Sequence, residues 1–343
     1  MRLRAFAVPR PNRGCGRTRQ RGVALLVAIL LVALATMIAA SLAYHNAMTA
    51  RRTIGALDYD RALLVTEGTE AFAAYALQQT FQAQPNTTDL EQPWARPIGP
   101  IPVAPGVTLQ ASLEDLQGRF NLNNLIDSDG VTVNTQQLNA FRRLLTLVGL
   151  RPQWADDFVN WIDKSPTPAL ADAPADSTYV EMNPPYQTPN LPITSSSELL
   201  ALPGFGRERF ARIAPYVTAL PVGVALNVCT ASPYVLDAYL GHTQFSSDPP
   251  QFAKDRVAAG GCFPTTSEFE ASMSSVLGTT PNTGASGAAA PQSNFQQLFV
   301  MKSSWFRLTS VVRADGEAFV FYSVLYRDSN GTVEPILRSD TPN

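Results

Sequence analysis

The apolar positions fall into blocks with different periods. Residues 23–42 carry no charge, and Thr36 and Ser41 are their only polar side chains. Twenty helical residues at about 1.5 Å each reach roughly 30 Å, the hydrocarbon thickness of a bilayer. Over residues 44–79 the pattern turns amphipathic. Ile54, Leu57, Leu64, Phe72, Ala76 and Leu77 sit among polar partners, with no proline and only Gly55 and Gly68. The spacing predicts that one helix runs on from the apolar block to residue 82, unusually long for a globular protein.

Residues 82–105 hold Pro85, Pro93, Pro97, Pro100, Pro102 and Pro105, too many for regular structure. Residues 107–113 alternate as a half-buried strand, and the Asn- and Gly-rich run 114–125 reads as a turn into a second short strand. Leu138, Phe141, Leu144, Leu145 and Val148 predict a helix over 136–150, ended by Gly149 and Pro152, with another over 154–162. Residues 164–193 read as a long irregular excursion, the kind of loop that often carries a site. Thr194 and Ser195–Ser197 offer caps for a helix over 198–202, and Pro203-Gly204-Phe205-Gly206 turns into one over 207–213. A strand is predicted over 222–228, helices over 232–240, 252–259 and 267–277, and a low-complexity loop over 278–294. Residues 305–312, 318–326 and 332–338 alternate around turns at Ala314-Asp315-Gly316 and Ser329-Asn330-Gly331, a three-stranded antiparallel meander. The expected class is α+β: a long N-terminal transmembrane helix, an antiparallel sheet and a large α-helical insert.

Charge gives the apolar block a direction. The 22 residues before it contain seven arginines and no acid, a flank that stays cytoplasmic while the rest is exported. Ala39-Ala40-Ser41 could pass as an ordinary signal-peptidase site, but the apolar core is long for a signal peptide and the helix does not stop there. Removing the leader leaves 19 basic against 28 acidic residues, a net charge of −9 that opposes nucleic-acid binding. Cys15 goes with the leader. Cys229 and Cys262 remain as an even pair in an oxidising compartment, where a disulfide is expected. His45 and His242 are far apart, and no Ser/His/Asp set, HExxH or P-loop is present, so no enzyme is expected.

A basic leader ending in Gly22, followed by an apolar segment that continues as an amphipathic helix, resembles the type IV pilin class. The resemblance implies cleavage by prepilin peptidase between Gly22 and Val23, leaving Val23 as the mature N-terminus. Most members carry Glu at the fifth mature position, where it pairs a neighbouring subunit's terminal amine in an apolar fibre core; here that position is Val27. Asp115-Leu-Gln-Gly118-Arg119-Phe-Asn121-Leu-Asn123-Asn-Leu125 is similar to the D-x-x-G-R-x-N-L-N-x-L signature of the GspK family, the large minor pseudopilins of type II secretion systems. Trp161-Ile-Asp163, Asn183-Pro-Pro-Tyr186, Ser197-Glu-Leu-Leu200 and Asn227-Val-Cys-Thr-Ala-Ser-Pro233 continue the resemblance in order, across nearly the whole mature chain.

Membership implies a pilin-like fold whose insert is SAM-like or helix-hairpin-helix-like. The implied divisions are a cleaved leader over 1–22, an N-terminal helix over 23–82 (membrane-spanning over 23–42), pilin-like parts over 83–128 and 221–343, and an α-helical insert over 129–220. It implies a structural subunit at the pseudopilus tip that helps nucleate assembly and export folded proteins across the outer membrane. The implied location is the inner membrane, single-pass, with the N-terminus cytoplasmic and the body periplasmic. The implied partners are the minor pseudopilins GspI and GspJ, with no nucleic acid.

Acids on the long loop, Asp163, Asp172, Asp176 and Glu181, are a candidate Ca²⁺ set, since that hard cation takes several oxygens. GspK members resemble this in having calcium in the corresponding acidic loop, but their usual Gly-Ala-Glu-Asp stretch reads here Asp172-Ala-Pro-Ala-Asp176. A solvated acidic loop remains the other reading. Asp127-Ser-Asp129-Gly130 begins like an EF-hand loop without its closing Glu, and is read as a turn. Gly204-Phe205-Gly206 with Arg207, Arg209 and Arg212 resembles a helix-hairpin-helix. That keeps a DNA-binding or DNA-uptake pilin as one alternative, with an exported hydrolase bearing an ordinary signal peptide as another. The favoured use of the hairpin is structural, its glycines serving close helix packing. Glu67, Glu70, Arg51 and Arg52 are expected on solvated faces or at contacts between subunits.

Overall fold

The computed structural model describes residues 21–165, 170, 176–262 and 298–341. The chain forms two bodies, Met1–Asp60 and Arg61–Asn343. In the first, helix α1 (Arg21–Ala83) begins, and its large apolar side chains from Val23 to Leu42 are exposed. Its hydroxyls are satisfied locally: Thr36 donates to the Ala33 carbonyl and Thr53 to that of Thr49. Among the described residues, α1 is the one helix long and apolar enough to cross a bilayer, as a single-pass anchor requires.

In the second body, the last turns of α1 pack on a five-stranded sheet. Strand β1 (Ile98–Ala104) pairs with β2 (Val107–Asp115) at the sheet edge. Contrary to the expectation from their number, the prolines of residues 82–105 do not exclude regular structure. An edge strand needs only one side of its hydrogen-bonding groups, so Pro100 and Pro102 are tolerated.

After β2 the chain leaves the sheet. The two-residue strand β3 (Phe120–Asn121) leads through a 3₁₀ turn, Leu122–Leu125, to α2 (Thr135–Leu147), α3 (Trp154–Ile162) and the short α4 (Asp176–Val180). Asn134 caps α2 by accepting from the Gln137 amide. The helix expected over 198–202 is a 3₁₀ turn, Ser196–Ala201, capped by Ser195. Then come α5 (Gly206–Ile213) and β4 (Val217–Thr218), which pairs in parallel with β3. The strand expected over 222–228 contracts to β5 (Leu226–Asn227), because Pro221 and Gly223 at φ +85° form a turn first. Helices α6 (Pro233–Leu240) and α7 (Pro249–Ala258) follow, then β6 (Phe299–Val300), parallel to β5. The helix expected over 267–277 and the loop over 278–294 lie outside the described residues.

The chain rejoins the sheet as the expected meander, β7 (Trp305–Ala314), β8 (Glu317–Arg327) and β9 (Val333–Ser339), giving the order β1-β2-β7-β8-β9. Two cores result. Ala62, Ala73 and Leu77 of α1 pack with Leu109, Phe306, Leu308, Phe321 and Leu325 of the sheet. The insert has its own core around Leu122, Leu125, Phe141, Leu144 and Phe158. That second core also takes Val235 and Leu236 of α6 and Phe299 of β6, so it runs past residue 221 into the returning chain.

Candidate functional site

The signature Asp115–Leu125 forms the junction where the chain leaves the sheet. Its asparagines tie this stretch to distant segments by bonding their main-chain groups. Asn121 accepts from the Leu220 amide at 3.0 Å and donates to the Pro221 carbonyl at 2.9 Å. Asn123 bonds both main-chain groups of Ile193, at 2.8 and 2.9 Å, and donates to the Leu220 carbonyl at 2.8 Å. Asn124 accepts from the Gly223 amide and donates to the Val224 carbonyl. Between them Leu122 and Leu125 point into the insert core, fully buried. A periodicity reading could see only the turn-forming composition of this stretch.

Asp115 sits at the end of β2 with its carboxylate buried. Oδ1 accepts from the Gln117 amide at 2.9 Å. Oδ2 accepts from Asn227 Nδ2 at 3.0 Å and from the hydroxyls of Thr230 and Ser303, each at 2.5 Å. Burial pushes this carboxyl above its usual range, against the pull of the Ser303 and Thr230 hydroxyls and the other donors. Beside it, Glu114 bridges Arg119 and Arg307, with Arg307 Nη2 at 2.6 Å. Arg119 also donates to the Ala214 carbonyl at 3.0 Å, and burial holds its guanidinium below the usual range.

The structure joins Cys229 and Cys262 in a disulfide. Buried Arg256 ties the same strap, donating to the carbonyls of Val228 at 3.2 Å and Ala231 at 2.8 Å. Burial lowers its guanidinium to about 10.

Of the acids proposed for calcium, Asp163 ends α3 and is buried. Its Oδ1 accepts from the Ser165 amide at 2.9 Å, while Oδ2 has no hydrogen-bond partner among the described residues. Glu181 is exposed, Asp172 lies outside the described residues, and only the backbone of Asp176 is described, at the start of α4. Among the described residues no three His, Cys, Asp or Glu side chains gather as a metal cluster. An unpartnered buried carboxylate oxygen is nonetheless an atom that a hard cation would satisfy. Asp129 closes a turn of its own, accepting from the amides of Val131 and Thr132 and from the Thr132 hydroxyl.

The hairpin at Gly204-Phe205-Gly206 differs from expectation. Among the described residues a methyl group on Gly204 or Gly206 would meet nothing within 4 Å, so these glycines do not serve close packing there. They are there for backbone conformation, at φ +76° and +73°. Phe205 is buried against Trp154, ring centres 5.2 Å apart. Arg209 spends its Nη1 on the carbonyls of Gly204 and Phe205, and Arg212 pairs with Glu208 at 2.9 Å. Two of the three arginines are therefore engaged by the chain itself. Gly22 and Val23 lie in the first turn of α1.

A long apolar N-terminal helix whose C-terminal turns pack on an antiparallel sheet defines the pilin-like class. The solved structures agree in fold: a chain of the GspK–GspI–GspJ complex from the type 2 secretion system of enterotoxigenic Escherichia coli superposes with a TM-score of 0.66 at 20% identity, covering 84% of this chain and 98% of that one. The family model for type II secretion system protein K matches residues 118–222. Type II secretion system protein K of Pseudomonas aeruginosa is 28% identical over 333 residues, 94% of this chain and 93% of that protein. Its counterpart from Aeromonas hydrophila is 33% identical over 227 residues, 63% of this chain and 68% of that protein. The chain belongs to the type II secretion system protein K family, and its role is that of a minor pseudopilin.

Proposed function

We propose that this subunit sits at the tip of the pseudopilus, helps nucleate it, and so serves export of folded proteins across the outer membrane. The observation that carries the reading is Val27. A fibre subunit buried among like helices must neutralise its neighbour's terminal amine, because an unpaired charge in an apolar core is costly. Val27 offers no carboxylate, so no subunit's amine can be paired from above. The insert supports the same placement, since every repeat of a fibre would have to accommodate its bulk. The seven leader arginines support an N-terminus in the cytoplasm and a body in the periplasm, anchored in the inner membrane after cleavage behind Gly22. The proposed partners are GspI- and GspJ-like minor pseudopilins, the proteins in complex in the structure of similar fold.

Counting labelled copies on isolated pseudopili tests the placement. One copy at one end is expected; copies repeated along the fibre contradict it. We also propose Ca²⁺ as a ligand of Asp163, with Asp172, Asp176 and Glu181 as the other candidate donors. Calcium titration of the full chain by calorimetry should show binding that Asp163→Asn abolishes. Equal binding by both proteins removes Asp163 from the site.

A further inference from the structure

The chain leaves the sheet after β2 and passes the same point again around β5, and both passes meet at one buried carboxylate. We propose that Asp115 is the hub of a clamp that fixes the insert rigidly to the sheet. The inference deepens the tip reading and rests on it for its purpose, because bulk obstructs a neighbour only if it cannot swing aside.

Among the described residues every group bonded to this buried carboxylate is neutral, so keeping it there is expensive even with the Arg327 charge acting on it. What the carboxylate supplies is direction. Its four donors come from three places: Gln117 where the chain departs, Asn227 and Thr230 where it returns, and Ser303 just before β7. Gln117 repeats the pattern, donating to the Ala225 carbonyl at 3.0 Å and accepting from the Ser304 amide at 2.5 Å. Asn227 also donates to the Thr88 carbonyl at 2.9 Å. The Thr88 hydroxyl accepts from the Ser303 amide at 3.2 Å and from Arg327 Nη2 at 3.1 Å. Arg327, at the end of β8, bonds the Ser303 carbonyl as well. The ring of bonds thus ties the segment after α1, the end of β2, the returning strap and the ends of β7 and β8. A satisfied buried network of this kind admits one arrangement, whereas apolar packing tolerates sliding.

Steric fit agrees with the bonds. A methyl group on Gly118 would lie 2.8 Å from the Thr230 hydroxyl and 2.9 Å from the Thr230 carbonyl oxygen, so the departing and returning chains are in close contact.

Hydrogen exchange read by mass spectrometry on the full chain in detergent micelles tests the clamp. Asp115→Asn should speed exchange at least tenfold in peptides covering 119–126 and 217–231, with β7 and β8 unchanged. Thr230→Val, which removes one donor at nearly constant volume, should give the same pattern more weakly, and it decides the matter if Asp115→Asn does not accumulate. Unchanged exchange at both insert ends, or equal acceleration throughout β7 and β8, overturns the proposal. No partner subunit is present in this experiment, so its outcome is independent of the copy count that tests the tip placement.

Discussion

Arg338 on β9 reaches Glu70 on α1, 268 residues earlier, with Nε 2.8 Å from Oε1 and Nη2 2.6 Å from Oε2. Glu70 is 3% exposed and also accepts from the Ser323 hydroxyl at 2.5 Å. On sequence alone Glu70 reads as a solvated or inter-subunit residue; here it is an internal anchor between helix and sheet. The hydrogen bonds that Arg338 donates to Glu70, more than the charge of Glu70, hold the guanidinium above its usual range.

Removing the arginine strands a buried carboxylate. Arg338 is itself 30% exposed, so the loss is discounted from that of a fully buried pair. Arg338→Ala should therefore cost about 2 kcal/mol in denaturant unfolding. Glu70→Leu combined with Arg338→Ala should recover part of that loss, because no charge is left unpaired.

The two kinds of glycine separate by substitution. Gly118→Ala drives a methyl group into the Thr230 main chain, which cannot rotate away, and should cost about 1–3 kcal/mol. Gly204→Ala meets open space and suffers only its left-handed backbone, at about 1 kcal/mol. Thermal unfolding of the two variants should rank them in that order.

Asp129 gives a pH test. The Thr132 hydroxyl, then the Thr132 and Val131 amides, hold its carboxyl down at about 2, below the ordinary 3.8. A depressed carboxylate stabilises the folded turn above its unfolded value, and that contribution is lost as pH falls from about 4 toward 2. Carboxyl-carbon NMR should show the low midpoint, and Thr132→Val should move it up toward the ordinary value.

The Cys229–Cys262 disulfide closes a 33-residue separation that contains α6 and α7. A loop of that length is worth roughly 3–4 kcal/mol. The Cys229→Ser/Cys262→Ser double variant should lose stability of that order. Thiol titration of the denatured, unreduced chain should find Cys229 and Cys262 unreactive until a reductant is added.

Much of the fold was legible because its elements are long and periodic. The continuous α1, the helices around Phe141 and Phe158, and the β7–β9 meander all declare themselves by spacing. Strand β1 was hidden by prolines whose cost depends on being at an edge, which local sequence does not reveal. The parallel pairs β3–β4 and β5–β6 are two residues each, too short to leave a period. At the site, the Asp115–Leu125 signature could be noticed but not explained, since Asp115 and Asn227 are 112 residues apart and only folding joins them. Asp163 stood out as an acid in a Trp-Ile-Asp triplet, yet its buried, unpartnered oxygen is a fact of packing.

Retention of the apolar helix as a membrane anchor separates a pilin-type subunit from an exported protein with a cleaved signal peptide. Sequencing the N-terminus of the protein purified from membranes tests it most directly. Val23 is expected as the first residue; a chain beginning at Ser41 or close to it, cut free of that helix, would rule retention out.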